Sequence, residues 1–266
     1  MADTVLYEVN DGLATITINR PDAMNAVNTE AKAALRDALR QAAGDTAVRA
    51  VLLTATGRAF CVGQDLKEHV ASLAADREAG TARTMETVRE HYNPIVRAIT
   101  GMPKPVVAGV NGVAAGAGLG FVLAADYRVA ADTASFTTAF AGVALTADSG
   151  VSWTLPRVVG PARAADLLLF PRSIGAPEAY ELGLVNKLVP AAELAAEAAA
   201  VARALAAGPT VAYAAIKESL AFAAGHTLEE TLAKEDELQN RAAAAEDHTI
   251  AVEAFLAKEK PRYVGR

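Results

Sequence analysis

The chain has one cysteine, Cys61, among its 266 residues, which excludes an internal disulfide framework. Its four histidines, His69, His91, His226 and His248, fall at no metal-ligand spacing, so no metal is expected. There is no basic excess either. The formal net charge of −6 argues against a general nucleic-acid or membrane surface. No apolar run reaches membrane-spanning length, and the start, Met-Ala-Asp-Thr, has neither a basic n-region nor an apolar h-region. The expectation is a cytoplasmic protein. What the chain does have is apolar substance: 52% hydrophobic residues, enough for a real core and too many for intrinsic disorder.

The densest signal runs from Lys104 to Asp126. A proline-bounded run, Pro105 to Val110, reads as a buried strand, and Asn111-Gly112 closes it as a turn. Ala114-Ala115-Gly116-Ala117-Gly118-Leu119-Gly120 then leads into the helix-like Phe121 to Ala125. A strand, a glycine-rich turn and a helix start together offer free backbone N–H groups to a negative oxygen. The glycine spacing matches neither a dinucleotide fingerprint nor a phosphate-cradling loop, since Gly120 is followed by Phe121 rather than Lys-Ser/Thr. Close helix–sheet packing would use the same glycines.

Earlier in the chain, Val5 to Val9 and Leu13 to Ile18 flank Asn10-Asp11-Gly12, a hairpin signal. Asn28 is placed to cap a helix whose apolar positions are Ala31, Ala34, Leu35, Ala38, Leu39 and Ala42. The strand around Val51-Leu52-Leu53 precedes a second glycine turn, Phe60-Cys61-Val62-Gly63-Gln64-Asp65, about fifty residues before the first one described. Cys61 has no His or Asp near it in sequence and reads as a packing residue. Glu68 to Gly80 is expected as a helix or lid, and Thr84 to Ile99 as a helix adjusted at Pro94. Short strands are expected at Tyr127–Ala130 and Ser135–Thr138, then a loop carrying Asp148 and a helix over Val151–Val159. Asp148 reads equally as a helix cap and as a lone acid among small, apolar neighbours. From Pro161 nearly everything reads as helix, ending in a single long one over Leu228–Ala257. The composition shift sets a mixed core at 1–190 and a helical region at 191–266.

Taken in order, several segments resemble the crotonase superfamily, the enoyl-CoA hydratase/isomerase family. They are Asn19-Arg20-Pro21 with Met24-Asn25-Ala26, Ala59 to Leu66, Val110-Asn111-Gly112 with Gly116-Ala117-Gly118, Leu155 to Gly160, Ala179 to Val185, and the tail Ala254-Phe255-Leu256 with Lys260-Pro261. The resemblance implies an α/β fold, the crotonase (ClpP-like) spiral of ββα repeats with a helical C-terminal trimerisation region. It implies an acyl-CoA substrate, no separate cofactor beyond the coenzyme A of the thioester, and a homotrimer or homohexamer without nucleic-acid or membrane partners. It further implies that the backbone N–H groups of Val62 and Ala117 hold the thioester oxygen as it becomes an enolate. Met24, Ala26, Ala59, Gln64, Asp65 and Leu66 fall where the family contacts coenzyme A, with Arg20 and Lys260 as phosphate partners. The two glutamates of the hydratases are replaced by Gly120 and Phe140. An aspartate at Asp148 is instead similar to that of the isomerases, the phenylacetate-pathway ring-epoxide isomerase above all. The expected activity is therefore isomerisation with Asp148 as acid/base. Alternatives are hydration, a non-catalytic acyl-CoA-binding role and, as a minor one, the dehalogenase chemistry that uses such an aspartate as a nucleophile.

Overall fold

The computed structural model describes residues 3–266. The chain opens with the expected hairpin, β1 (Val5–Asn10) and β2 (Leu13–Ile18), paired antiparallel from Val5 opposite Ile18 to Asn10 opposite Leu13. Both turn residues, Asp11 and Gly12, take positive φ (49° and 79°), the geometry that matches the twist of the two strands. Helix α1 (Thr29–Gly44) follows, and the Asn28 side chain caps it by accepting from the Ala31 N–H at 2.9 Å. Its inward residues are those at helical spacing, Ala31, Leu35, Ala38, Leu39 and Ala42.

From there the chain repeats one plan. A strand in the main sheet is followed by a short strand in a second sheet, and then by helix. The pairs are β3 (Ala50–Ala55) with β4 (Ala59–Cys61), β5 (Val106–Val110) with β6 (Val113–Ala115), and β7 (Tyr127–Ala131) with β8 (Ser135–Thr137). Helices α2 (Leu66–Ala79) and α3 (Asn93–Gly101) follow the first pair, α4 (Ala117–Ala124) the second, and α5 (Val151–Val159) and α6 (Pro161–Leu169) the third. With β9 (Ile174–Gly175) and β10 (Lys187–Val189), separated by α7 (Ala176–Glu181), the sheets have orders β1-β2-β3-β5-β7-β10 and β4-β6-β8-β9. Beyond the hairpin all main-sheet pairs are parallel. This is the spiral of ββα repeats, and it explains why the two glycine turns are neighbours: β4 and β6, which lead into them, lie side by side.

Four helices close the chain: α8 (Leu194–Ala206), α9 (Thr210–Ala223), α10 (Leu228–Ala243) and α11 (Glu246–Ala257). Leu194, Ala198, Ala202 and Ala206 of α8 join the buried core, so the first helix of region 191–266 covers the main sheet. Two sequence expectations are corrected. The two-residue β9 and three-residue β10 interrupt what reads as continuous helix, being too short to carry a periodic signal. The single helix over Leu228–Ala257 is two, broken at Ala244-Ala245, where an alanine-rich stretch gives no breaker signal. The adjustment expected at Pro94 is present as a π-helical turn over Val88–Tyr92, because proline removes one N–H and crowds the carbonyl four residues back. Among the described residues no single helix is long and apolar enough to cross a membrane.

Candidate active site

The Val62 turn and the Ala117 turn touch. A Cβ placed on Gly63 would lie 3.2 Å from the Ala115 carbonyl oxygen and 3.5 Å from the Ala117 nitrogen. Ala117 is the first residue of α4, so its N–H has no acceptor within the helix. Among the described residues, neither the Val62 N–H nor the Ala117 N–H donates to a loop or turn carbonyl. The glycines are needed for this geometry. Gly63 and Gly116 have φ of +86° and +53°, and a Cβ on Gly118 would run into the Cys61 carbonyl. Cys61 itself is fully buried, and burial pushes its thiol up to about 12, which suits packing and not nucleophilic attack.

One turn along α4, Gly120 meets the next part of the site. A Cβ there would stand 2.5 Å from Ser149 Cβ and 2.7 Å from the Ser149 carbonyl oxygen. This contact sets the loop of Asp148 beside the α4 N-terminus, roughly 4.5 Å of helix rise from Ala117. Asp148 is half-buried, and its carboxylate accepts from the Ser149 hydroxyl at 2.7 Å. It does not cap α5. The residue at the cap position is Gly150, and no side chain caps that helix. Burial raises the Asp148 pKa above the ordinary carboxylate value, and the Ser149 hydrogen bond partly offsets it.

Phe140 closes the arrangement from another side. It is 93% buried, and its ring edge is 3.9 Å from a Cβ placed on Gly116. The short 3-10 helix that carries it, Phe140–Val143, is bracketed by Ala139 and Ala144, both at positive φ. Ser149 also has positive φ (50°). Such strained non-glycine residues concentrate where surrounding structure holds a functional geometry. Tyr92 lies behind this wall, its ring tilted against Phe121 with centroids 6.2 Å apart. Burial first, and the Asp148 charge second, push its phenol up, so it stays a neutral donor.

The positions expected to contact coenzyme A form one rim, with two exceptions. Val27 N–H donates to the Gly63 carbonyl at 2.8 Å and Asp65 N–H to the Val27 carbonyl at 3.2 Å, which joins the Met24–Ala26 loop to Gln64, Asp65 and Leu66. Asn25, fully buried, locks that loop through bonds to the Thr56 and Ala59 carbonyls at 2.8 and 2.7 Å. Ala59 is the first exception: it is completely buried in β4, beneath the rim. Lys260 is the second. It is exposed on the tail after α11, whose Tyr263 carbonyl is held by Arg49. Arg20, expected on a phosphate, is engaged with Asp65 at 3.0 Å and with the Ala26 carbonyl.

The family profile described as Enoyl-CoA hydratase/isomerase matches residues 8–266. The chain belongs to this family. A relative from Rhodobacter capsulatus, named a probable enoyl-CoA hydratase, is 42% identical over 264 residues, covering 99% of this chain and 98% of the relative. The 1,2-epoxyphenylacetyl-CoA isomerase of Escherichia coli K12 is 39% identical over 266 residues, the full length of both. A crystal structure of a Mycobacterium abscessus protein with the same family description superposes with a TM-score of 0.94 at 47% identity, covering 98% of this chain and all of that one. The crotonase fold and acyl-CoA chemistry therefore hold for this family member.

Sequence reasoning overlooked several residues that the fold brings to the site. Ser149, Tyr92 and Lys32 all hydrogen-bond at or just behind it. Two left a readable signal. Lys32 shares a helix face with Leu35, Leu39 and Ala42, and Tyr92 shares one with Ile95 and Ile99. A polar group on an apolar face is the feature to notice.

Proposed function

We propose that the protein is an acyl-CoA isomerase that moves a double bond, with Asp148 as acid/base and the Val62 and Ala117 N–H groups holding the enolate oxygen. The observation that carries the reading is the contact between Gly120 and Ser149. At a position where the hydratases hold a carboxylate, even a Cβ would stand 2.5 Å from Ser149 Cβ. The other such position is the apolar Phe140. Asp148 is then the acid of the site, and one acid suffices for isomerisation.

In this reading Asp148 takes a proton from C2 of a 3-enoyl thioester. The C2–H electron pair enters the C1–C2 bond, and the thioester oxygen takes the negative charge against the two N–H groups. Return of the proton to C4 leaves the double bond at C2–C3. A carboxylate with a raised pKa is the better base for this, and a backbone donor contributes typically ~2.7–4 kcal/mol to the transition state. Phe140 keeps water from the double bond. Met24, Ala26, Gln64, Asp65 and Leu66 hold the coenzyme A end of the substrate. The fully buried Ala59 supports them from below, and Lys260 reaches a phosphate from a neighbouring copy. The exposed apolar residues Leu228, Leu232, Val252, Phe255 and Leu256 on α10 and α11 support a homotrimer, or paired trimers.

A second reading, a ring-epoxide substrate, is favoured by the full-length similarity to the epoxyphenylacetyl-CoA isomerase. The deciding experiment offers the protein a 3-enoyl-CoA, a 2-enoyl-CoA and a ring-epoxide CoA ester in parallel, with wild type and Asp148→Asn. Migration without water addition, lost in the variant, is the expected result. Water addition that survives Asp148→Asn would overturn it in favour of hydration.

A further inference from the structure

Behind the Val62 turn, two buried side chains donate to one oxygen of a third that is half-buried. Lys32, on α1, is only 1% exposed, and its ammonium donates to Gln64 Oε1 at 3.2 Å, Glu68 Oε1 at 3.3 Å and Thr87 Oγ1 at 2.9 Å. Tyr92, 2% exposed, donates its hydroxyl to the same Gln64 Oε1. Gln64 stands two residues after Val62, and its backbone is bridged to Val27. The segment 62–65 is thus held on one side by backbone bonds to Val27 and on the other by a glutamine carbonyl that takes two donors.

Packing alone does not account for Lys32. The other inward positions of α1 are alanine and leucine, and a methionine would fill the same volume. Burying an ammonium costs several kcal/mol before its partners compensate. Burial does pull the Lys32 pKa down, while Glu68 works against that. A hydrocarbon there could donate neither to Gln64 nor to Thr87, and of these two Gln64 is the one in the Val62 turn. Glu68 does not need the ammonium, because the Thr29 N–H and hydroxyl already donate to that carboxylate at 2.8 and 2.9 Å.

We infer that Lys32 and Tyr92 are positioning residues which, through Gln64, keep the Val62 N–H aimed at the thioester oxygen. The inference rests on the reading of Val62 as an oxyanion donor and goes beyond it by naming what fixes the donor's direction. Neither side chain touches substrate.

The test uses acetoacetyl-CoA, a β-ketothioester that loses a C2 proton to give an enolate with its own near-ultraviolet band. The band reports stabilisation of the oxyanion without requiring double-bond migration. Wild type, Lys32→Met, Tyr92→Phe and the double variant are titrated with the ligand at fixed pH, all retaining Asp148. Wild type is expected to bind the ligand as enolate. Each single variant should lower the ratio of bound enolate to bound keto form about tenfold, a difference of ~1.4 kcal/mol, and weaken binding by no more than that factor. The double variant should be no worse than the poorer single one, since both act through one glutamine. In the migration assay the loss should appear in kcat, with KM little changed. Enolate formation equal to wild type in the single variants overturns the inference and leaves the oxyanion reading standing. No enolate in wild type overturns both. Tyr92→Phe removes one oxygen and decides alone where Lys32→Met fails to fold.

Discussion

Two neighbours with opposing effects set the character of Asp148. Burial favours its neutral form, and the Ser149 hydroxyl at 2.7 Å favours the charged one. Ser149→Ala should therefore push the acidic limb of the kcat/KM profile to higher pH, measurable from a pH series on the migration reaction. Asp148→Asn should lower kcat by about 10²–10⁴. Its effect on stability has the reverse sign. Because the native pKa is raised, the carboxyl's contribution to stability is fully present below its unfolded value and is lost as pH rises through the native one. Asp148→Asn should thus melt higher than wild type near neutral pH, while the two should coincide at ~pH 3, below both values. Gly120 is constrained more tightly still. Gly120→Ala forces a methyl against Ser149 and should cost ~1–3 kcal/mol in a denaturant titration. Activity should fall with it as the Asp148 loop is displaced.

Among the elements, α2 is the odd one. None of its residues is buried, and Leu66, Val70 and Leu73 are exposed along it. Polar ties hold it instead. Asp65 caps it by accepting from the Lys67 and Glu68 N–H groups at 3.0 and 3.4 Å, and also pairs with Arg20. At its far end Asp76 accepts from the N–H groups of Arg83 and Thr84 at 2.8 and 2.7 Å. Such a helix should open more readily than the sheets it covers. Asp65→Ala removes the cap, worth ~0.5–2 kcal/mol. Hydrogen exchange should show the loss over residues 66–79 with the main-sheet strands unchanged; a uniform loss of protection would refute local anchoring.

At the scale of the whole molecule, the C-terminus is stitched back onto the body. Asp247, 3% exposed, accepts from the Val264 and Gly265 N–H groups at 2.6 and 3.0 Å, while Arg49 donates to the Gly208 and Tyr263 carbonyls at 2.6 and 3.0 Å. The tail lines one side of an open cleft of about 1070 Å³ between α9, α10 and Met102–Lys104, which Asp148 does not line. Beyond this stitching, Phe255 and Leu256 stand 80% and 75% exposed. A pair of large apolar side chains so placed suits an interface between copies. Light scattering should find a trimer or hexamer for wild type and a smaller species for Phe255→Asp/Leu256→Asp. A wild-type monomer would count against the assembly.

Local pattern alone showed two units of apolar strand, glycine-bearing turn and helix, and the resemblance to the crotonase superfamily implied the spiral that joins them. The glycine turns and the lone acid Asp148 were readable from the residues, while the choice of Val62 and Ala117 as donors came with the family resemblance. The contact between the two turns, the lack of room for a side chain at Gly120 and the uncapped start of α5 follow from the folded chain. Those facts depend on strands far apart in the chain lying side by side, which no local pattern encodes. The same holds for Lys32 and Tyr92, 60 residues apart by number and joined on one oxygen of Gln64. Burial of Lys32 and Tyr92 beside Gln64 made the clamp, and burial is a property of the fold.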